Sequence, residues 1–321
     1  LLLKVYPFPP NFSFLQKYRL EGLLGDGTFG FVLSATYLLT NEQVAIKFIA
    51  KKSIKRSNID GKGRGIPVEI EILSQCHHPN IIKYWEYYED LNYYILITEL
   101  FGHEWNSKNE PEITQLNNSK NEPEIIQLKN SKNEPEISQL KNFSPQNSLL
   151  SFEPKSKKLT SFYQFIQQFL TTNFFCNSNN NSLIRYKPRD LFECIERLER
   201  IPDKQIKKII NQLLSVIQYL STELQFCHSD IKDENILIDS QFNIKLVDFG
   251  SALGQQQIEA NLVEGKVKFY GTLQFAPPEV LSGDGYRGVT SDLWSVGSLL
   301  YLMITGTNYL TKLVKVNGMG G

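Results

Sequence analysis

From Leu20 to Ile49 apolar and polar residues alternate around glycines, and the clearest runs, Phe31–Tyr37 and Gln43–Phe48, predict strands. Glu69–Gln75 changes period: its apolar residues recur at helical spacing, and the run stops at His78-Pro79-Asn80. Two more strand-like runs follow, Ile81–Tyr88 and Tyr93–Glu99. Beyond Asp190 the helical period takes over. Leu191–Leu198 predicts one helix, and Lys204–Leu220 a longer one with Ile206, Ile209, Ile210, Leu213, Leu214, Ile217 and Leu220 on its apolar face. Ile236–Ile238 and Ile244–Val247 read as short strands around a tight turn, and Asp292–Ile304 as a buried helix. The expected class is α+β, with a small β-rich part carrying one helix and a larger helical part after it.

Between these parts the pattern fails. A twelve-residue unit beginning Asn-Ser-Lys-Asn-Glu-Pro-Glu-Ile occurs three times, from Asn106, Asn118 and Asn130. Twelve is not a solenoid period, and each unit has too few aliphatic side chains to offset its ordering entropy. Residues 103–187 therefore read as a largely disordered insertion, a solvated tether in preference to a docking segment. Inside it, Leu159–Leu170 is aromatic-rich and predicts a short helix. The resulting division is a flank 1–19, a first lobe 20–102, the insertion 103–187, a partial second lobe 188–306 and a tail 307–321.

Composition narrows the class. With 321 residues, 41% hydrophobic content and zero formal net charge, the chain can bury one or two cores and has no bulk attraction to nucleic acid or anionic membrane. Cys76, Cys176, Cys194 and Cys227 show neither metal-ligand spacing nor the density of a secreted scaffold, so the expected setting is the cytoplasm, with the nucleus as a second compartment. The longest apolar run, near Leu299–Ile304, is too short to span a bilayer, and the first residues show no basic region followed by an apolar one, so neither a membrane span nor a signal peptide is expected.

The chemistry lies in short motifs. His228-Ser229-Asp230-Ile231-Lys232-Asp233-Glu234-Asn235 is followed, thirteen residues after its Asn, by Asp248-Phe249-Gly250. A hydroxyl attacking the γ-phosphate of ATP needs a carboxylate to orient it and take its proton, and the phosphates need Mg²⁺ held by oxygen ligands. Asp230 suits the first task, Asn235 and Asp248 the second. Gly25, Gly27 and Gly30 form a GxGxxG pattern, which dinucleotide-binding folds also use ahead of a helix. Here the strand-like Phe31–Tyr37 follows, and then Val44-Ala45-Ile46-Lys47, which points to a phosphate-covering hairpin with a lysine on the next strand. A buried Lys47 needs a carboxylate partner; Glu69 and Glu71 compete for that role, and a solvated helix face is the ordinary alternative for both.

In this order and spacing the motifs resemble those of eukaryotic protein kinases, and Lys232, two residues after Asp230, resembles the serine/threonine branch. The chain is further similar to the PAS-domain kinase family over Lys47–Ile49, Glu69–Ser74, Asp190–Glu193, Asp230–Ile236, Ile244–Ala252 and Gly283–Gly288, the last including Tyr286-Arg287-Gly288. Kinase motifs cover about Leu20–Gly102 and Asp190–Gly306. The resemblance implies a two-lobed kinase fold, ATP and Mg²⁺ as cofactors, a protein substrate with a Ser or Thr acceptor, and a sensory domain outside this chain. It favours Glu69 over Glu71, because Glu69 lies nine residues before His78. It also places Leu24, Val32, Ala45 and Leu237 around the adenine, although such residues are apolar core in any fold. Gly25, Gly27 and Gly30 would approach the phosphates with Lys47. Thr98 resembles the gatekeeper behind the pocket, Glu99 and Phe101 the hinge, and Asp190 the acid near the ribose. Lys232 would steady the transferred phosphate, and Thr272 would bond back to Asp230.

Three departures matter. Ser229 stands where most kinases carry an Arg that clamps a phosphate on the activation loop, and Ala252–Gly271 contains no Ser or Thr, only Tyr270. The two absences agree, so activity is expected to be independent of activation-loop phosphorylation. Pro277-Pro278-Glu279 replaces the usual Ala-Pro-Glu. Only fifteen residues follow Gly306, where the resemblance implies several helices and an Arg partner for Glu279; the expectation is a fragment whose Glu279, if buried unpaired, costs on the order of a few kcal/mol. The rival reading is a non-catalytic pseudokinase scaffold or inactive kinase fragment, against which Lys47, Glu69, Asp230, Asn235 and Asp248 are all present.

Overall fold

Alternating burial along the first third of the chain builds one antiparallel sheet in the computed structural model, which describes residues 13–27, 30–54, 57–59, 65–102, 190–198, 201–263, 269–283 and 286–309. These residues fall in one unit, drawn from Leu1–Pro111 and Ser182–Gly321. The repeats and the helix expected at Leu159–Leu170 lie outside the described residues.

The sheet has five strands: β1 (Tyr18–Gly27), β2 (Gly30–Tyr37), β3 (Gln43–Ala50), β6 (Tyr84–Glu89) and β7 (Tyr93–Glu99), in the order β1-β2-β3-β7-β6. Val44, Ile46 and Phe48 are buried on β3, with Phe31 of β2 stacked on Phe48 at 4.6 Å between ring centroids. A small ladder, β4 (Ser57–Ile59) with β5 (Gly65–Pro67), precedes helix α1 (Val68–Leu73). Helix α1 ends two residues before the expected Gln75. The Ser74 hydroxyl and Gln75 amide both donate to the Glu71 carbonyl, at 2.8 and 3.0 Å, and side chains that take a backbone acceptor this way compete with helix propagation. Ile81–Lys83, expected to begin a strand, contributes only an isolated bridge from Ile81 to Leu246.

The second lobe holds α2 (Leu191–Arg197), α3 (Asp203–Tyr219), the hairpin β9 (Ile236–Ile238) with β10 (Ile244–Leu246), α5 (Pro278–Leu281) and α6 (Val289–Thr305). On α3 the buried stripe is Ile206, Ile209, Leu213, Val216 and Ile217, continuing to Leu220 just beyond it. Leu214 is 40% exposed, contrary to expectation, because it lies about 100° round the helix from Leu213. Helix α6 is likewise not buried all round: Leu293 and Ile304 are 43% and 55% exposed, while Ser291, Asp292, Ser295 and Ser298 occupy the buried face. Glu279 is half-exposed, so the desolvation cost of a buried carboxylate does not fall on it. Several elements were not anticipated by the pattern: the β4–β5 ladder, helix α5, the pairing of β8 (Phe226–Cys227) with β11 (Leu253–Gly254), and helix α4 (Gln255–Val263).

One hydrophobic cluster runs through both lobes, from Ile49, Ile70 and Leu96 to Leu213, Leu246, Phe249 and Leu299. The lobe junction is therefore packed with side chains where α1 meets Phe249. This fixes the sheet over the β9–β10 hairpin, and the candidate site forms along that line.

Candidate active site

Strand register assembles the upper wall of the site. Residue pairs Val32↔Lys47, Ala45↔Thr98 and Lys47↔Leu96 stand opposite one another across β2, β3 and β7, and Gly25 pairs with Val32. Gly30 is demanded by this register: a Cβ there would lie 1.7 Å from the Phe48 carbonyl oxygen. Thr98, buried at the end of β7, donates its hydroxyl to the Glu99 carbonyl at 3.2 Å. On the opposite side, Leu237 of β9 bridges to Asp190, whose carboxylate accepts the Glu193 amide at 2.8 Å and so caps α2. Val32, Ala45 and Leu237 are partly exposed and Leu24 is buried. Thr28 and Phe29, at the tip of the glycine hairpin, are outside the described residues.

Lys47 resolves the competition between Glu69 and Glu71. Its Nζ lies 2.7 and 2.8 Å from the two oxygens of Glu69 and 3.2 Å from Asp248 Oδ1. Glu69 is buried on α1 facing the cleft; Glu71, two residues on, faces elsewhere. Burial works to lower the Lys47 pKa, but Asp248 and Glu69 outweigh it and hold the ammonium above its ordinary value. Two carboxylates sharing one ammonium divide unequally. Burial pushes the Glu69 carboxyl up by more than Lys47 pulls it down. Burial also opposes ionisation of Asp248, but Lys47 prevails and keeps it below the usual carboxylate range.

Asp230 sits between two donors. The Thr272 amide donates to Oδ1 at 2.8 Å, and Asn235 Nδ2 lies 3.2 Å from Oδ2 and 2.8 Å from the Asp230 carbonyl. The expected link from Thr272 is thus made by its backbone amide. Because Nδ2 is engaged, Oδ1 is the Asn235 atom that can face a cation. The Val247 amide donates to the Asn235 carbonyl at 3.0 Å, which sets Asn235 beside Asp248. Asp248 adopts a left-handed backbone conformation, φ 64°, that turns its carboxylate back toward Lys47. Lys232 Nζ pairs with Glu234 at 2.7 Å; burial disfavours its charge, but Glu234 and Asp230 raise its pKa.

The donor set suits Mg²⁺. Asn235 and Asp248 offer two hard oxygen ligands, and among the described residues no group of three His, Cys, Asp or Glu could hold a metal. Mg²⁺ takes one or two carboxylates or amides and completes its shell with water and substrate phosphates, whereas an all-protein cage would suit other ions better.

With this geometry in place, comparison with known proteins is decisive. The protein kinase domain family matches residues 18–115 and 103–317. The chain belongs to the protein kinase family. It is 28% identical over 296 residues to the PAS domain-containing serine/threonine-protein kinase of Mus musculus, covering 91% of this chain and 15% of that protein. It is 23% identical over 303 residues to the carbon catabolite-derepressing protein kinase of Candida tropicalis, covering 94% of this chain and 34% of the relative. It is 38% identical over 120 residues to the serine/threonine-protein kinase PSK2 of Saccharomyces cerevisiae, covering 37% of this chain and 10% of the relative. The chain therefore spans well under half the length of these relatives.

The structure also reveals kinase-site supports that the motifs did not single out. The Asp292 carboxylate accepts the His228 amide at 2.8 Å, the Ser229 amide at 2.9 Å and the Tyr286 hydroxyl at 2.9 Å. His228 Nδ1 takes the Asp230 amide at 3.3 Å, so Nε2 carries the proton it gives to the Val247 carbonyl at 3.1 Å. The imidazole thereby ties the loop of Asp230 to the strand leading into Asp248. An Asp opening an apolar helix was the one sequence cue to this arrangement.

Proposed function

We propose that this chain is an active serine/threonine protein kinase, using ATP with Mg²⁺ to phosphorylate Ser or Thr hydroxyls of proteins. The observation that carries this reading is the setting of Asp230, whose carboxylate is held from both sides by Thr272 and Asn235. In the reaction the acceptor oxygen bonds to the γ-phosphorus as the bond to the bridging oxygen of ADP breaks, and the hydroxyl proton passes to Asp230. Lys47 is held by Glu69 toward the α- and β-phosphates, and Lys232 supplies charge at the transferred group. Mg²⁺, when bound at Asn235 and Asp248, neutralises phosphate charge. Leu24, Val32, Ala45 and Leu237 receive the adenine, with Thr98 behind it and Asp190 near the ribose.

The same reading makes turnover independent of activation-loop phosphate. Ser229 replaces the phosphate-clamping Arg, yet the segment is fastened by other means. Thr272 bonds Asp230, the Ser251 hydroxyl donates to the Tyr270 carbonyl at 3.3 Å, and β11 pairs with β8. A sensory domain outside this chain is the proposed regulator, by analogy with the PAS domain-containing relative. The proposed setting is the cytoplasm, with the nucleus as a second compartment.

The test is radiolabelled phosphate transfer from Mg·ATP to a basic serine/threonine protein substrate. Asp230→Asn should lose about 10²-fold or more in turnover while still binding Mg·ATP. Tyr270→Phe should keep its turnover. A wild-type chain that binds Mg·ATP but transfers nothing would assign it to the scaffold class instead, and a requirement for phosphate on Tyr270 would sink the loop argument alone.

A further inference from the structure

Lys245 lies in the kinase-like stretch Ile244–Ala252 but belongs to neither the Asp230 loop nor the Asp248 motif, yet it joins three parts of the nucleotide cleft. It is the middle residue of β10 and stands directly opposite Leu237 across the β9–β10 ladder. Residues opposite one another in an antiparallel ladder share a face, so the Lys245 side chain leaves from the face that carries the adenine-floor candidate. Its Nζ then reaches Glu99 Oε1 at 2.6 Å, the Pro79 carbonyl at 3.0 Å and the Ile81 carbonyl at 3.5 Å. Those partners use all three donors of the ammonium. The same Nζ lies 5.4 Å from the centroid of the Phe101 ring, within the range of a cation–π contact.

Glu99 and Phe101 are the two hinge residues of the proposed function, so one cation touches both. Glu99 is otherwise held by its ladder pairing with Val44 of β3, by the Thr98 hydroxyl on its carbonyl, and by Lys83: Oε1 accepts the Lys83 amide at 2.7 Å, and its own amide donates to the Lys83 carbonyl at 3.0 Å. The Lys245 and Glu99 side chains are 14% and 25% exposed, so the pair is shielded and its loss would strand a partly desolvated carboxylate. Gly102, at φ 81°, follows Phe101 and gives the chain a freely turning exit. The segment 99–102 thus has one end in the sheet, one end at a glycine, and Lys245 beneath it.

We infer that Lys245 is a positioning residue for the nucleotide pocket: it fixes the hinge at Glu99 and Phe101 over β9 and the Pro79–Ile81 turn, and so sets ATP affinity without touching ATP. This rests on reading Glu99 and Phe101 as the nucleotide hinge. It differs from a stabilising ion pair in what it predicts. The cation acts on the bound state of the adenine edge, leaving Lys47, Asp230 and Asn235 in place.

The experiment uses the full 321-residue chain and Mg·ATP as the probe, with calorimetric Kd and steady-state kcat and KM. Lys245→Met should weaken Mg·ATP by about tenfold, raising KM in parallel, with kcat at saturating ATP nearly unchanged. Lys245→Arg, which keeps the charge and the ring contact, should restore affinity to near the wild-type value. Glu99→Gln keeps an acceptor for the Lys83 amide but removes the charge; it should weaken binding too, and adding Lys245→Met to it should cost little more. Should Lys245→Met fail to fold, Glu99→Gln and Lys245→Arg carry the test. Unchanged Kd in Lys245→Met or in Glu99→Gln would overturn the inference. So would a fall in kcat with Kd unmoved. A folded wild-type chain that binds no Mg·ATP would instead overturn the nucleotide-site reading beneath it, an outcome visible before any variant is compared.

Discussion

The carbonyl oxygen of Ser229 fills the space that a side chain at Gly271 would need: a Cβ there would lie 2.1 Å from it. Neither partner can retreat cheaply. Ser229 is buried in a left-handed conformation, φ 66°, with its amide bound to Asp292, and Thr272, next after Gly271, is bound to Asp230. Gly271→Ala must therefore separate the activation segment from the catalytic loop and release the Thr272 amide from Asp230. Turnover should fall by at least about tenfold while Mg·ATP affinity changes little, because nothing at Lys47 or Thr98 moves. Phosphate transfer and ATP calorimetry on the same preparation would decide it; equal turnover would mean that the close approach has no catalytic consequence.

The Lys47–Glu69–Asp248 cluster makes a prediction about stability as well as rate. Glu69→Gln leaves Lys47 with Asp248 and with an amide acceptor, so kcat/KM should fall by about 10- to 100-fold while the fold holds. Lys47→Met leaves Glu69 and Asp248 facing each other with no cation between them, and a buried unpaired charge is the more damaging defect. The urea midpoint of Lys47→Met should therefore lie below that of Glu69→Gln. The reverse order would show that the pair is less desolvated than its geometry requires.

Thr98 stands opposite Ala45, two small residues whose Cβ atoms face one another across β3 and β7. With the adenine seated as proposed, a small residue at this position leaves room beside it for a bulky group. Thr98→Met should fill that room, lowering the affinity of ATP-competitive inhibitors with a bulky aromatic group by about tenfold or more, with a much smaller effect on the KM for ATP. Inhibitor titration in both proteins checks this, and equal affinities would mean that the hinge has been assigned to the wrong residues.

Much of this site is legible in the sequence because its chemistry is local. Asp230, Asn235 and Asp248 come from two short motifs, and β7 begins and ends at the residues its alternation predicts, Tyr93 and Glu99. A six-residue helix shows both Glu69 and Glu71 without showing which faces Lys47, so residue pattern alone left them in competition; the interval from Glu69 to His78 favoured Glu69, and that is the acid Lys47 meets. Lys245 and Asp292 are illegible for a different reason. Their partners lie 146 and 64 residues away, at Glu99 and His228, and no periodic pattern encodes a contact of that range. The exposure of Leu214, Leu293 and Ile304 escapes the pattern because hydrophobicity marks what can be buried, and only packing decides what is.

His78 offers a pH-dependent readout of the lobe junction. Its Nδ1 accepts the Asn80 amide at 3.1 Å and its Nε2 meets the Ser215 hydroxyl at 3.0 Å, a pairing that needs the neutral ring. Burial and then the charge of Lys245 hold its pKa below the ordinary 6.5. The unfolded chain therefore takes up a proton near pH 6.5 that the folded chain accepts only at lower pH. Between those values the unfolded state holds more protons, so stability rises with pH. The contribution is fully present above about pH 6.5 and is lost as pH falls toward the folded pKa. Urea midpoints taken from pH 7.5 down to 5.5 should drop more steeply for the wild type than for His78→Asn. Removing the charge in Lys245→Met should move the His78 titration, followed by NMR, back toward 6.5. An unmoved titration would place the Lys245 ammonium farther from this turn than its bond to the Pro79 carbonyl allows.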